Sequence, residues 1–324
     1  MSSALIAQKI IRECCAVRPG ESVLIITDSE REHIARAVYD ASIAVTTTRF
    51  RMIPIGRYDG DEIPDEAAAD CMRADVIIAP TTMSVSHTKA MVAARKNGAR
   101  VATLPGITDD IFLRCIDIDY HALQAVHTRL RALLHGSRMI RVCSPSGTDL
   151  TFSAEGRTWY SLDGVCNYPG AFVNLPDGEV MIAPVEGSAE GQVVVDLSMT
   201  PDQPTLFGRV GKLEGERITL SFREGYATSI RGKKSAQIVD AVLRDAGSEA
   251  FQLAEFAIGT NPKARIIGNI LEDEKVCGTA HIALGSNSSF GGVIACGVHL
   301  DGVFSSPDVW CDGVQIISKG QIIL

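Results

Sequence analysis

The sequence lacks the features of membrane, secreted and disulfide-stapled proteins. No stretch approaches the ~18–20 uninterrupted apolar residues that a membrane-spanning helix needs. The first residues, Met1–Ile6, show neither the basic start nor the small-residue cleavage site of a secretory signal. The nine cysteines are odd in number and form no Cys-x-x-Cys pair, which argues against a disulfide framework and a thiolate zinc site. We therefore expect a cytoplasmic protein with reduced thiols.

Basic residues are also in deficit. The chain has 31 Lys and Arg against 39 Asp and Glu, a net charge of −8, and no Lys/Arg-rich run. Such a chain is a poor candidate for binding nucleic acid or an anionic membrane, since both attract clustered positive charge. The glycine-rich phosphate cradles Gly-x-Gly-x-x-Gly and Gly-x-x-x-x-Gly-Lys-Ser/Thr are absent as well. The excess of carboxylates leaves room for sites that bind cations.

At 324 residues, with 46% hydrophobic residues, the chain is long enough for about two domains. In the first ~135 residues, short apolar runs such as Ser22–Thr27 and Asp75–Pro80 alternate with helical patterns. Strands separated by helices indicate a parallel sheet covered on both faces, a doubly wound, Rossmann-like α/β domain. From Met139 onward the pattern changes to short alternating strands with glycine-rich turns. We therefore predict an α/β domain at residues 1–137 and a β-rich α+β domain at residues 138–324.

In the second half, polar residues interrupt apolar strands. Period-two alternation places each of them on a face with small residues, while large apolar residues face the other way. These residues are Glu179, Glu255, His281, His299 and Asp301. One such residue is usually an edge-strand polar side chain, but four such segments in one domain are harder to dismiss. Buried carboxylates repel one another unless a cation lies between them. Three carboxylates and two imidazoles suit one or two divalent ions such as zinc, cobalt or manganese.

Two further acidic segments are open to two interpretations. Glu186, in a turn after Glu179, is either a general base or an ordinary turn acid. The charged run Leu271–Lys275 has the composition of a solvated connection, from which Glu274 or Glu272 could still reach the site.

At these residues the chain resembles the aminopeptidase T / thermophilic leucyl aminopeptidase family of metallopeptidases. The matching segments occur in family order and span the second domain: Gly147–Phe152, Asn174–Val180, Ala254–Gly259, His281–Gly285 and His299–Asp301. The resemblance implies that Glu179, Glu255, His281, His299 and Asp301 are ligands of a two-metal site, and that the protein is a homodimer or larger. The family's ligand tyrosine has no counterpart, because Ser286–Phe290 stands in its place. The number of metals thus stays open between one and two.

A divergent branch of the same superfamily resembles 2,5-dihydroxypyridine dioxygenase, which uses one Fe(II) held by two histidines and one carboxylate. In that branch, as we interpret it, histidine replaces the acid at position 255 and the acid at position 179 is lost. This chain keeps Glu179, Glu255 and His281, which favours a hydrolase.

The sequence therefore predicts a metallohydrolase, resembling an aminopeptidase, that cleaves an amide bond of a small-molecule or short-peptide substrate. A metal ion would activate the attacking water, and Glu186 would move its proton. Two alternatives remain: an Fe(II) ring-cleaving dioxygenase, and a non-catalytic protein that binds metal or a small molecule.

Overall fold

A computed structural model describes residues 2–323 of the chain, which forms two compact units. The first unit comprises the chain up to Ala122 together with Leu162–Asp177. The second comprises Leu123–Ser161 and the chain from Gly178 onward.

The described helices are α1 (Ser3–Lys9), α2 (Glu32–Ile43), α3 (Asp65–Cys71), α4 (Lys89–Lys96), α5 (Asp109–Cys115), α6 (Tyr120–Leu134), α7 (Lys234–Ala246) and α8 (Ile270–Asp273), with a π-helical segment at Ile10–Cys14 and a 3-10 helix at Ser248–Phe251. The described strands are β1 (Ser22–Thr27), β2 (Thr47–Met52), β3 (Val76–Thr81), β4 (Arg100–Pro105), β5 (Met139–Cys143), β6 (Asp149–Ser153), β7 (Tyr160–Leu162), β8 (Phe172–Asn174), β9 (Glu179–Ile182), β10 (Glu190–Val195), β11 (Ser198–Met199), β12 (Gly211–Lys212), β13 (Ile218–Arg223), β14 (Tyr226–Arg231), β15 (Leu253–Gly259), β16 (Thr279–Gly285), β17 (His299–Ser305), β18 (Asp308–Cys311), β19 (Val314–Ser318) and β20 (Gln321–Ile322).

The first unit is built on a parallel sheet of five strands in the order β2-β1-β3-β4-β8. Strand β3 is buried along its whole length, which explains its continuous apolar sequence: a parallel sheet covered by helices exposes neither face to water. The prediction of a doubly wound α/β domain is confirmed.

The second unit contains two antiparallel sheets. One has the order β14-β13-β10-β6-β5-β18-β19-β20 and the other β12-β11-β17-β16-β15-β9-β7. One hydrophobic cluster takes side chains from both sheets and from α7, including Phe152, Phe256, Ile282 and Val239. The predicted β-rich α+β architecture is therefore confirmed. Because side chains alternate along a strand, residues next to Phe256 and Ile282 project from the opposite face of their sheet.

The chain passes between the units at other positions than the boundary predicted at residues 136–138. Helix α6 begins in the first unit, but Leu130 and Leu134 near its end are fully buried in the core of the second. Strand β8 returns to the first unit and pairs with β4, where Phe172 lies opposite Val101. A three-residue strand covers an otherwise unpaired sheet edge, yet it is too short to be recognised by periodicity.

All nine cysteines lie within the described range and are free, and six of them are buried, in agreement with the prediction of reduced, mostly buried thiols. Within residues 2–323, none of the helices combines the length and the hydropathy that crossing a membrane requires. The cytoplasmic location and the homodimer stay predictions.

The packing around Phe256 predicts a large effect of truncation. Its ring is fully buried, with its centroid 5.3 Å from that of Phe152 and 6.4 Å from that of Trp159. We expect Phe256→Ala to lower the free energy of unfolding of the second unit by about 3–5 kcal/mol, because it removes buried apolar surface and leaves a cavity.

Tryptophan fluorescence during denaturant unfolding measures this loss, since both tryptophans, Trp159 and Trp310, belong to the second unit. Val314→Ala, at a side chain 57% exposed, is the control and should change the stability by less than about 0.5 kcal/mol. A loss below about 1 kcal/mol for Phe256→Ala would contradict this packing.

Candidate metal centre

The sheet of the second unit brings the five predicted residues to one face. They come from four adjacent strands: Glu179 from β9, Glu255 from β15, His281 from β16, and His299 and Asp301 from β17. The register pairs these polar residues with small ones: Gly259 lies opposite Glu179, and Gly285 opposite His299. Ala283 lies between Glu255 and Asp301. Because these partners are small, they leave space on this face of the sheet in which the longer polar side chains can meet.

Glu255 lies at the centre of the group. Its Oε1 is 3.3 Å from Nε2 of His281, and its Oε2 is 3.2 Å from Nε2 of His299. One carboxylate thus contacts two imidazoles through different oxygens. Asp301 extends the group, with Oδ1 3.3 Å from Nε2 of His299. Glu179 extends it on the other side, with Oε2 3.4 Å from Nε2 of His281.

Among the described residues, three overlapping sets of potential ligand atoms lie within 4.8 Å of one another. They are Glu179, Glu255 and His281; Glu255, His299 and Asp301; and Glu274, His281 and Asp301. None of the three sets joins His281 with His299. Each combines one imidazole with two carboxylates, a donor set that suits divalent ions of intermediate softness such as Fe(II), Mn(II) or Zn(II).

Burial and unpaired atoms fit a cation here. The side chains of Glu179 and Glu255 are only 5% exposed, that of His281 is 1% exposed, and that of His299 is 32% exposed. Within residues 2–323, Oε2 of Glu179 accepts no hydrogen bond, although Nε2 of His281 lies 3.4 Å from it, and Nδ1 of His281 has no hydrogen-bond partner. Buried polar atoms without partners are costly, and a nearby positive charge, from a metal ion or an ammonium group, lowers the cost for a carboxylate. The exposure of His299 marks the side from which a ligand could enter.

The orientation of His299 is fixed by the backbone. Its Nδ1 lies 2.7 Å from the carbonyl oxygen of Ser286. A carbonyl only accepts hydrogen bonds, so Nδ1 carries the proton and donates it. In the neutral ring, Nε2 then offers its lone pair toward Glu255 and Asp301. Metal-binding histidines are commonly held in this way through their second nitrogen.

The electrostatics show that the group has an excess of negative charge. Burial alone lowers the pKa of His281, but the carboxylates of Glu255 and Glu179 outweigh it and raise the pKa to about 9. His299 behaves alike: burial opposes its charge, yet Asp301 and Glu255 hold its pKa well above the ordinary value. The pocket therefore draws in positive charge, either as protons on the imidazoles or as a metal ion.

Two further residues extend the group. The sequence analysis did not identify Lys275 as a site residue, and it left the role of Glu274 open. Lys275 is 1% exposed, and its Nζ lies 2.6 Å from Oε1 of Glu179 and 2.7 Å from Oε1 of Glu274. Burial raises the pKa of Glu274 to about 8 against the lowering effect of the Lys275 ammonium. The interpretation of this run as a solvated connection was wrong, because Glu272 and Asp273 are also fully buried. A run of charges carries no periodic signal of burial, so the sequence could not reveal this.

Glu186 holds the loop that leads into β17. Its carboxylate forms an ion pair with Arg157, and its Oε1 accepts hydrogen bonds from the backbone N–H of Val293 (2.9 Å) and from Nδ2 of Asn287 (3.2 Å). Burial opposes ionisation, but these hydrogen bonds outweigh it and lower the pKa of Glu186. Its contacts are those of an anchor for the loop. The proton-transfer role stays a prediction.

The same loop places Phe290 beside the site. Its ring meets the imidazole of His299 edge to face, with the centroids 5.8 Å apart. The loop is tightly folded at Gly292, where a Cβ would lie within about 2 Å of the Asn287 side chain. The segment Ser286–Phe290, which contains no tyrosine, thus contributes a phenylalanine ring beside His299.

Comparison with known proteins identifies similar sequences and folds. The family model NicX, 2,5-dihydroxypyridine 5,6-dioxygenase, matches residues 6–324. The 2,5-dihydroxypyridine 5,6-dioxygenase of Pseudomonas putida KT2440 is 24% identical over 262 residues, which are 77% of this chain and 71% of that protein. The solved structure of 2,5-dihydroxypyridine dioxygenase from the same strain superposes with a TM-score of 0.85 at 19% identity, covering 100% of this chain and 98% of the other. Wild-type AmpT from Thermus thermophilus superposes with a TM-score of 0.73 at 18% identity, covering 99% of each chain.

These similarities correct the predicted activity. The likeness to AmpT confirms the aminopeptidase T-like fold, and at 18% identity it carries the fold alone. The family match overturns the metallohydrolase prediction, and with it the aminopeptidase, protease and hydrolase assignments, in favour of the dioxygenase alternative. The prediction rested on Glu179, Glu255 and His281 acting together as a hydrolase ligand set. In the structure, one oxygen of Glu179 is bound instead by Lys275.

The raised imidazole pKa values predict that metal binding depends on pH. A metal ion must displace the proton from a bound imidazole, so metal affinity should rise by about tenfold per pH unit for each proton displaced between pH 6 and 8. We expect calorimetric titration with Co²⁺, in buffers of different ionisation enthalpy, to detect at least one proton released per metal at pH 7. Affinity that is constant from pH 6 to 8, without proton release, would contradict the charge state inferred for the site.

The central position of Glu255 predicts the effect of removing its charge. Glu255→Gln should weaken Co²⁺ binding by at least about 100-fold, because an amide is a poor metal ligand and cannot balance the two imidazoles. Equilibrium dialysis measures the affinity, and Glu214→Gln, at an exposed glutamate of the same unit, is the control with unchanged affinity. Equal binding by both variants would place the metal elsewhere.

Proposed function

Because the chain belongs to the NicX family, 2,5-dihydroxypyridine 5,6-dioxygenase, we propose that it is a ring-cleaving dioxygenase that opens a small hydroxylated nitrogen heterocycle such as 2,5-dihydroxypyridine with O2 and one Fe(II). The observation that carries this proposal is the match over residues 6–324, which spans every strand that contributes to the metal centre. The 24% identical relative from Pseudomonas putida supports the same activity.

We assign the Fe(II) to Glu255, His299 and Asp301. These residues provide one of the compact sets, and His299 is the most exposed member of the centre, so this position is the one that a substrate can approach. Fe(II) bound by three protein ligands would supply open coordination positions and the one-electron chemistry that O2 activation requires. The set has one histidine and two carboxylates, with Glu255 at the position where the dioxygenase branch, as we interpret it, has histidine.

The protein's own residues prepare this position in two ways. The Ser286 carbonyl holds the proton of His299 at Nδ1 and turns Nε2 toward the two carboxylates. Phe290, which is half-buried, packs at right angles to the His299 ring and places an aromatic side chain beside this position. A flat aromatic substrate suits such a side chain, since aromatic pairs gain energy from edge-to-face or offset contact in addition to the apolar area they bury.

The proposal predicts strict dependence on oxygen. Protein loaded with Fe(II) under argon should leave 2,5-dihydroxypyridine unchanged, and should consume one O2 per ring opened after air is admitted, because both oxygen atoms enter the product. An oxygen electrode and the loss of substrate absorbance measure the two quantities together.

Alanine substitutions at two histidines, one in the site and one outside it, provide a matched comparison for this assay. His299→Ala should lower the rate by at least about 100-fold, because it removes a metal ligand. His135→Ala, at an exposed histidine at the end of α6, should keep the rate of the unmodified protein. The dioxygenase assignment fails if loaded protein consumes no oxygen with any hydroxypyridine tested, or if His299→Ala is as active as the control. Tight metal binding without turnover would instead support the non-catalytic alternative.

A further inference from the structure

Lys275 is a buried cation inside the metal centre. It is among the largest fully buried side chains of the chain, and its ammonium lies between two carboxylates, 2.6 Å from Oε1 of Glu179 and 2.7 Å from Oε1 of Glu274. A buried ammonium is stable only when it is paired and hydrogen-bonded, and both carboxylates are themselves largely shielded from water. The two carboxylates therefore stabilise the Lys275 ammonium in its buried position.

The backbone fixes this position. The carbonyl of Lys275 accepts a hydrogen bond of 2.8 Å from the N–H of Asn261, and the N–H of Cys277 donates to the Asn261 carbonyl at 3.1 Å. The end of β15 approaches so closely that a Cβ on Gly259 would lie 2.2 Å from the Val276 carbonyl oxygen. The segment that carries Lys275 thus packs closely against the end of the strand that carries Glu255. This packing holds the Lys275 side chain in the site.

The lysine occupies the side of the centre where a second metal would need its ligands. The compact sets describe two neighbouring positions that share Glu255: one with His299 and Asp301, the other with Glu179 and His281. Lys275 binds Glu179, which belongs only to the second position, and Glu274, which belongs to the third set with His281. Like charges repel strongly at such distances where water is excluded, so an ammonium and a divalent ion compete for the same carboxylate.

We propose that Lys275 serves as a permanent internal cation in place of a second metal ion, so that the chain binds one divalent metal, at Glu255, His299 and Asp301. This inference rests on the proposed function for the identity of that metal, but not for the count. It also explains how the carboxylate-rich set of a two-metal hydrolase can persist in a protein with a single metal: the Lys275 ammonium balances the charge of Glu179 and is hydrogen-bonded to Glu274 as well.

The test is the number of metal ions bound, measured without any assay of activity. The purified full-length chain, stripped of metal and dialysed against excess Co²⁺, should hold one equivalent by elemental analysis. Lys275→Met removes the ammonium with little change of volume, and we expect a second equivalent, bound at least about tenfold more tightly than any second equivalent in the unmodified protein. Lys234→Met, at an exposed lysine at the start of α7, is the matched control and should hold one.

A second variant decides the matter if Lys275→Met does not fold. Glu179 is engaged by the lysine rather than by the metal, so Glu179→Gln should keep one Co²⁺ with an affinity within about tenfold of that of the unmodified protein. The proposal is overturned if the unmodified chain binds two metals, if folded Lys275→Met binds only one, or if Glu179→Gln loses the metal. Oxygen consumption is measured separately. One bound metal without oxygen uptake would refute the proposed function and leave the role of Lys275 intact. Two bound metals with oxygen uptake would refute the role of Lys275 and leave the proposed function intact.

Discussion

Four carboxylates gathered at one buried sheet face, three from its strands and Glu274 from the segment after α8, impose the constraint on which the site depends. Glu179, Glu255, Glu274 and Asp301 are at most 15% exposed, so water cannot screen their mutual repulsion. Positive or proton-accepting groups lie between the acids and reduce this repulsion. His281 and His299 lie on either side of Glu255, and Lys275 lies between Glu179 and Glu274. A divalent ion completes the same pattern of alternating charge.

The scaffold fixes where the site residues lie relative to one another. The sheet order β17-β16-β15-β9 sets the spacing of the site residues, and the small residues opposite them leave room for their side chains on this face. Both AmpT and the Pseudomonas putida dioxygenase have this fold, so the fold alone does not choose between hydrolysis and oxygenation. The choice therefore depends on individual side chains of the site and not on the fold.

The sequence predicted what periodicity encodes. The apolar runs Ser22–Thr27 and Asp75–Pro80 form strands β1 and β3, as their pattern indicated. The alternation argument placed Glu255 and His281 on the side of their strands opposite the large apolar residues. The register of β15 and β16 confirms that both project from the same face of the sheet. Periodicity could not reveal Lys275, whose burial is produced by contacts with β9 and with the segment after β15. It also missed β8, a three-residue strand whose place in the parallel sheet depends on pairing with β4.

The activity was misassigned from the sequence because the types of ligand residue do not by themselves distinguish a hydrolase from a dioxygenase of the same fold. Two glutamates and a histidine are ligand types found in two-metal hydrolases, but in this chain the Lys275 ammonium binds one oxygen of Glu179. Anomalous diffraction at the iron edge, from crystals loaded with Fe(II) without oxygen, tests the central claim most directly. The account predicts a single iron peak within bonding distance of Glu255, His299 and Asp301, with the Lys275 ammonium still between Glu179 and Glu274. A peak between Glu179 and His281, or two peaks in one chain, would contradict it.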